Sequence, residues 1–69
     1  MFSKADYIKY FLQVKKVETT MQARFQAYSE AVDDPALKKY FTQMAREEKA
    51  HSRIVDSMLE SFDYKAEKN

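Results

Sequence analysis

The chain has 69 residues but no cysteine, no glycine and no tryptophan, and Pro35 is its single proline. Without cysteine, both disulfide bonds and thiolate metal sites are excluded. Without glycine, the chain has little of the turn chemistry that β-hairpins and mixed folds require. Of all residues in the chain, 45% are hydrophobic and 33% are charged, a balance typical of long amphipathic helices. We therefore predict an all-α fold.

No charge of one sign dominates, since 12 Lys and Arg face 11 Asp and Glu and the net charge is +1. No basic block indicates a phosphate-binding surface or a nucleic-acid partner. Charges interrupt every apolar run, so we expect neither a membrane span nor a secretory signal, and we expect a cytoplasmic protein. A chain this short rarely closes a core alone. Self-association, a non-thiolate metal, or both are expected to complete it.

The first helix is predicted over about residues 4–32. Ser3 is a suitable N-cap, and Asp6 is placed to complete a capping box with it. Phe2 and Tyr7 stand where a hydrophobic staple places its two side chains. No helix-breaking residue follows before the turn.

The second helix is predicted over about residues 35–62. Asp34 is its N-cap, and Pro35 occupies the first helical position. The polar tail, residues 63–69, is predicted to be frayed. Because the connection between the helices is short, they are expected to be antiparallel neighbours in a single hairpin domain.

Each helix carries an apolar seam, a row of side chains spaced alternately by three and four residues, as in helical bundles. The first seam consists of Tyr7, Phe11, Val14, Glu18, Met21, Phe25, Tyr28 and Val32. The second consists of Leu37, Phe41, Met44, Glu48, His51, Val55, Met58 and Phe62. Further apolar residues flank both seams, so the apolar face is wider than one hairpin covers. We therefore expect two chains to pair into a four-helix bundle, a homodimer.

Three ionisable residues interrupt the seams: Glu18, Glu48 and His51. In an antiparallel hairpin, the numbers of facing residues have a constant sum, and one register with a sum near 66 accounts for both seams. That register puts Glu18 opposite Glu48, with His51 one turn further along the same face. All three then fall in one layer near the middle of the hairpin, called the ligand layer below. Because burying lone carboxylates is unfavourable, such a layer needs a reason.

Metal binding supplies that reason. Carboxylate oxygens combined with imidazole nitrogen suit iron, manganese or zinc, and a bound metal offsets the burial of charge. Two chains would supply four Glu and two His, which is the ligand set of di-iron carboxylate bundles. We therefore predict two iron ions per dimer, with manganese or zinc as alternatives.

Segments 33–41 and 45–51 resemble the rubrerythrin branch of the ferritin-like superfamily, in which a similar Glu-Glu-Lys-x-His stretch carries metal ligands. The spacing within the ligand layer is also similar to that of the encapsulated ferritins, two-helix chains that build a ferroxidase centre across a dimer interface. The resemblance covers about residues 5–62 and implies that the ligand layer holds metal, with Glu48 as a candidate bridge between two ions. The chain departs from full rubrerythrins in having no rubredoxin-like cysteines.

The resemblance implies a ferroxidase-like or peroxidase-like oxidoreductase that oxidises Fe(II) with oxygen or hydrogen peroxide, in iron handling or defence against oxidative stress. Mineral storage would need a cavity that one dimer lacks, and hence a larger assembly or a protein nanocompartment. The alternative is a non-catalytic dimerisation or adaptor module. In that reading the ligand layer is a buried hydrogen-bonded network, or a structural metal site, that sets the register.

Several other residues near the seams are expected to have structural or surface roles and not to bind metal directly. Tyr28 is assigned to packing, with a hydrogen bond to a ligand carboxylate as its alternative. Glu47 is expected on a solvated helix face. The methionines of the seams are expected to fill the core: Met21, Met44 and Met58. The following are expected to be ordinary surface charges: Lys15, Lys16, Lys38, Lys39, Arg46 and Arg53.

Overall fold

The computed structural model describes residues 1–64, so residues 65–69 of the predicted frayed tail lie outside the described residues. Two helices, α1 (Lys4–Ala31) and α2 (Pro35–Ser61), pack against each other in an antiparallel hairpin. This confirms the predicted all-α hairpin. Each helix ends one residue before its predicted end. Neither helix has a stretch long and apolar enough to cross a membrane, among the residues that the structure describes.

The capping box at the start of α1 is formed by Ser3 and Asp6. The Asp6 amide donates to Ser3 Oγ at 3.2 Å, and the Ser3 amide donates to Asp6 Oδ2 at 2.9 Å. Hydrogen bonds from the Ser3 backbone, and then from its side chain, hold the pKa of Asp6 below its ordinary value. Because the folded pKa is lowered, the cap stabilises α1 above the ordinary pKa of the carboxyl and is lost as the pH falls through the lowered value. The rings of Phe2 and Tyr7 meet edge to face at 6.1 Å, as a hydrophobic staple requires.

The start of α2 is fixed by Asp34. Its Oδ1 accepts hydrogen bonds from the Ala36 amide at 2.8 Å and the Leu37 amide at 3.1 Å. Pro35 occupies the first turn, where its missing N–H leaves no hydrogen bond unmade. Two independent devices therefore start α2 directly after the turn.

The end of α1 is capped from the other helix. Its last turn contains no basic residue. Instead, Lys38 Nζ donates to the Ser29 carbonyl oxygen at 2.7 Å across the turn. An ammonium group at this position satisfies a carbonyl at the helix end and lies at the negative end of the helix dipole. Lys38 is therefore more than the ordinary surface charge that the sequence suggests.

Replacing Lys38 with methionine is expected to destabilise the hairpin by about 1 kcal/mol, since a charge-assisted hydrogen bond is lost while the aliphatic stem is kept. Lys39→Met is the matched control, because Lys39 is exposed and has no hydrogen bond or ion pair among residues 1–64. Urea unfolding of both variants at one protein concentration measures the difference. Equal midpoints for the two variants would remove the capping role.

The packed interface between the helices is narrow. The only buried apolar side chains among residues 1–64 are Ala45, Val55 and Leu59, and the small polar residues Ser29 and Ser52 are buried with them. Small side chains allow two helices to approach closely. Most other apolar seam residues are only half-buried. The hairpin alone therefore has little core.

Aromatic contacts hold both ends of the hairpin. At the turn end, the rings of Phe25 and Phe41 stack at 6.2 Å, as the predicted register requires. At the other end, the Phe62 ring stacks on Tyr7 at 6.0 Å and lies 6.1 Å from that of Phe11. These two clusters lie on either side of the ligand layer, and the Phe25–Phe41 pair agrees with the predicted register.

One side of the hairpin remains apolar and exposed. At 100° per residue, three of the four exposed large apolar side chains of α1 fall within a narrow arc, Tyr7 being the exception. The exposed large apolar side chains of α2 lie on the same side of the hairpin as that arc. We call this side the open face. Its exposed apolar residues are Tyr10, Val17, Tyr28, Leu37, Tyr40, Ile54 and Met58. Met58, expected to fill the core, is thus a surface residue of the hairpin, because α1 covers only the neighbouring side of α2.

Candidate metal centre

The ligand layer is assembled from the middle of both helices. Glu18 projects from α1, and Glu48 and His51 project one turn apart from α2. One ligand atom from each residue lies within 4.8 Å of the other two. His51 Nδ1 is 3.4 Å from Glu18 Oε2 and 4.0 Å from Glu48 Oε1. The structure therefore brings together the three residues that the register predicts.

The three side chains differ sharply in burial. Glu18 and Glu48 are 14% and 18% exposed, whereas His51 is 56% exposed. We call the space between the donor atoms of these three side chains the cup. The two carboxylates on its inner side are mostly buried between the helices, and the exposed imidazole lies on the side of the open face. The site is thus closed on the hairpin side and open on the side where the apolar residues lie.

One carboxylate oxygen in this cup has no partner. Glu18 Oε1 is buried and receives no hydrogen bond from the described residues. An unsatisfied buried acceptor costs about 1–3 kcal/mol, and more when it is charged. A cation bound in the cup would satisfy this oxygen directly. The residues present therefore fit a metal in their chemistry as well as in their spacing.

The distances between the donor atoms also fit a bound metal ion. Metal–oxygen and metal–nitrogen bonds of about 2.0–2.2 Å place donors on opposite sides of one ion about 4.4 Å apart at most. The three donor atoms, spread over 4.8 Å, need only small side-chain rotations to reach that spacing. Three donors also leave coordination positions unfilled on the open side.

An ion pair lies near the ligand layer and joins the two helices. Lys15 Nζ donates to Asp56 Oδ1, with side chains 30% and 44% exposed. Lys15 is therefore not the ordinary surface charge that the sequence predicts, since it is half-buried and paired across the helices. The register did not predict that Lys15 pairs with Asp56. Facing residues have numbers that sum to about 66, whereas these two sum to 71, so the long lysine side chain must reach along the helix axis to Asp56.

Two residues near the motif do not join the ligand layer. Tyr28 packs edge to face on Phe41 at 5.4 Å, and it lies ten residues, about 15 Å of helix, from Glu18. Within one hairpin its ring therefore packs on Phe41, far along the helix from the ligand carboxylates of its own chain. Glu47 is exposed, as expected for a solvated position.

A glutamate on one helix facing a Glu-x-x-His pair on an antiparallel neighbour is half of the ligand arrangement of a ferritin-like four-helix bundle. The family model described as Rubrerythrin matches residues 13–69, which is most of the chain. The chain therefore belongs to the rubrerythrin family, di-iron carboxylate proteins of the ferritin-like class that typically bind iron. No curated protein and no solved structure matches the chain.

Proposed function

We propose that two copies of this chain join through their open faces and bind two iron ions between them, as a ferroxidase-like centre that oxidises Fe(II) with dioxygen or hydrogen peroxide. The observation that carries the proposal is the incomplete cup. It has a buried carboxylate oxygen without a partner, and its only imidazole is exposed toward an uncovered apolar face. A second copy supplies the missing half of the ligands and covers that face.

The electrostatics favour two divalent ions. The ligand layers of two copies hold four carboxylates, whose four negative charges balance two Fe(II) ions. Half-buried apolar residues next to the layer, such as Val14, Met21 and Met44, limit the access of bulk water. Removing water strengthens the attraction between the carboxylates and the bound cations.

The reaction balances with Fe(II) as the substrate. Two Fe(II) ions each give up one electron, and one dioxygen takes up both electrons with two protons to leave as hydrogen peroxide. With hydrogen peroxide as the oxidant, the same two electrons and two protons yield two water molecules. The task of the protein is to hold both ions at one place, so that both electrons are supplied together.

One contact favours the alternative, a non-catalytic dimerisation or adaptor module. His51 Nδ1 already lies within reach of Glu18 Oε2 at 3.4 Å. Contacts between this imidazole and the carboxylates would form a polar network without metal. In that case the layer would set the register of the bundle and carry out no turnover.

An anaerobic Fe(II) titration of metal-free protein separates the two functions. The shared centre predicts saturation at about one iron per chain, or two per four-helix unit. Air-saturated buffer is then admitted, and consumption of one dioxygen per two Fe(II), with release of peroxide, is the expected result. Repeating the step with hydrogen peroxide under argon identifies the preferred oxidant. Absence of tight iron binding would refute the ferroxidase function and leave the adaptor module.

A further inference from the structure

Two of the four methionines of the chain are neighbours of the ligand layer. Met21 lies three residues after Glu18 on α1, and Met44 lies four residues before Glu48 on α2. Residues spaced by three or four are neighbours on the surface of a helix, with about 5–6 Å between their Cβ atoms. Each of these methionines is therefore one helical turn from a carboxylate of the ligand layer.

The same two methionines face each other across the hairpin. Their numbers sum to 65, within one of the sum that the register requires, and both side chains are half-buried. Together they bring two thioether sulfurs next to the ligand layer, on the side toward the turn. The other two methionines lie farther away and are more exposed. Met1 precedes α1, and Met58 is 41% exposed and lies seven residues beyond His51, about 10 Å of helix.

Met21 also lies on a path from the ligand layer to the surface. Glu18 lines one surface hollow and Met21 lines the next, each with a volume of about 280 Å³. Val17 lines both hollows, so the two adjoin along α1. A small molecule that leaves Glu18 along this helix toward the turn therefore passes Met21.

Hydrogen peroxide is such a molecule, because under the proposed function dioxygen leaves the ligand layer as hydrogen peroxide. Peroxide oxidises thioethers by oxygen transfer. One oxygen atom of the peroxide bonds to sulfur, the O–O bond breaks, and the other oxygen leaves as water with both protons. The sulfur loses the two electrons that the peroxide gains, and methionine becomes methionine sulfoxide.

We infer that Met21 and Met44 are modification sites, which the hydrogen peroxide formed in the ligand layer oxidises to sulfoxides. This inference rests on the proposed function, because that function supplies the peroxide. In the proposed pair of chains, four such thioethers border one centre. Because a sulfoxide is polar where a thioether is apolar, the modification changes the apolar surroundings of the metal ligands, and it is reversible by enzymatic reduction.

Peptide mapping after iron oxidation tests the inference. Metal-free protein is mixed with Fe(II) in aerated buffer containing catalase, which destroys peroxide that has left the protein, and a chelator stops the reaction. Trypsin cleaves after Lys and Arg and places each methionine on a peptide of its own: residues 1–4, 17–24, 40–46 and 54–65. The peptides of Met21 and Met44 are expected to gain one oxygen atom roughly fivefold faster, or more, than those of Met1 and Met58.

Hydrogen peroxide added to metal-free protein without catalase is the matched control. Oxidation should then follow exposure, so fully exposed Met1 and partly exposed Met58 should react before the half-buried pair. A reversed order between the two reactions identifies peroxide that forms inside the protein.

A double variant, Met21→Leu with Met44→Leu, removes both thioethers and nearly conserves the volume of the side chains. At two Fe(II) per pair of chains and without catalase, it is expected to release more peroxide per Fe(II) oxidised than the wild type.

Three outcomes would contradict the inference. Oxidation of Met1 and Met58 first in both reactions, while iron is oxidised and peroxide is released, would overturn the inference alone. A double variant that releases no more peroxide per Fe(II) than the wild type would overturn it in the same way. A protein that neither binds nor oxidises iron would refute the proposed function, and with it the source of the peroxide.

Discussion

Replacing Glu18 with leucine is expected to abolish iron binding and, at the same time, to stabilise the metal-free protein. Both effects come from the same oxygen, because Glu18 Oε1 is buried without a partner when no metal is present. Leucine removes the unsatisfied charge and fills similar space, which should add about 1–2 kcal/mol to the free energy of unfolding without metal. Mutating a residue that only hydrogen-bonds to a metal ligand typically weakens metal binding by roughly 10–100-fold. Because Glu18 would bind the iron directly, its loss should weaken iron binding by more than that.

The measurement pairs anaerobic iron titration with urea unfolding in the presence of a chelator. Glu60→Leu is the matched control, because Glu60 is an exposed glutamate of α2 away from the ligand layer. This control should change stability by no more than about 0.5 kcal/mol and leave iron binding intact. A Glu18→Leu protein that binds iron like the wild type would exclude Glu18 as a ligand. A marked loss of metal-free stability would instead support the polar-network interpretation.

The thermal midpoint of the protein is expected to rise both with protein concentration and with metal. The hairpin alone buries only three apolar side chains among residues 1–64, so its stability depends on covering the open face. A metal present at 100 times its dissociation constant adds about 2.7 kcal/mol to the folded state. For a chain of this size that corresponds to a rise of about 10–20 °C. Zn(II) is the suitable probe, because it has the required ligand preferences and no redox chemistry.

Circular dichroism melts over a hundredfold range of protein concentration, with Zn(II) and with a chelator, test this expectation. Ile54→Lys places a charge on the open face and should lower the midpoint and weaken its dependence on concentration. Ser57→Lys is the control, since Ser57 is an exposed position of α2 outside the open face. Identical midpoints at all concentrations would mean that the hairpin is stable alone, against the proposed dimer.

The parts of the fold that depend on local chemistry were predictable from the sequence. Ser3 with Asp6, and Asp34 with Pro35, are short-range signals that act within one helical turn, and the structure shows both caps. The register followed from the alternation of seam residues, and the stacking of Phe25 on Phe41 agrees with it. The meeting of the three ligand-layer residues is a consequence of that register.

The sequence did not show which seam residues are covered by the other helix of the same chain and which remain exposed. A seam position predicts a contact with some helix, but it does not say whether that helix belongs to the same chain. Tyr28 and Met58 are seam residues, yet within one hairpin they are exposed. The contacts of Lys15 with Asp56 and of Lys38 with the Ser29 carbonyl were missed for another reason. Long flexible side chains reach partners that neither spacing nor periodicity specifies.

Both ends of the described chain lie at the same end of the hairpin, where Lys4 Nζ is 3.8 Å from Asp63 Oδ2. When two copies pair about a two-fold axis perpendicular to their helices, that end of one copy lies against the turn of the other. A gene duplication that fused two such hairpins would therefore have to join points a full helix apart. The 28 residues of α1 span about 42 Å, which about 13 extended residues would cover. A long crossover between the second and third helices, a feature of single-chain ferritin-like bundles, is the connection that such a fusion would require.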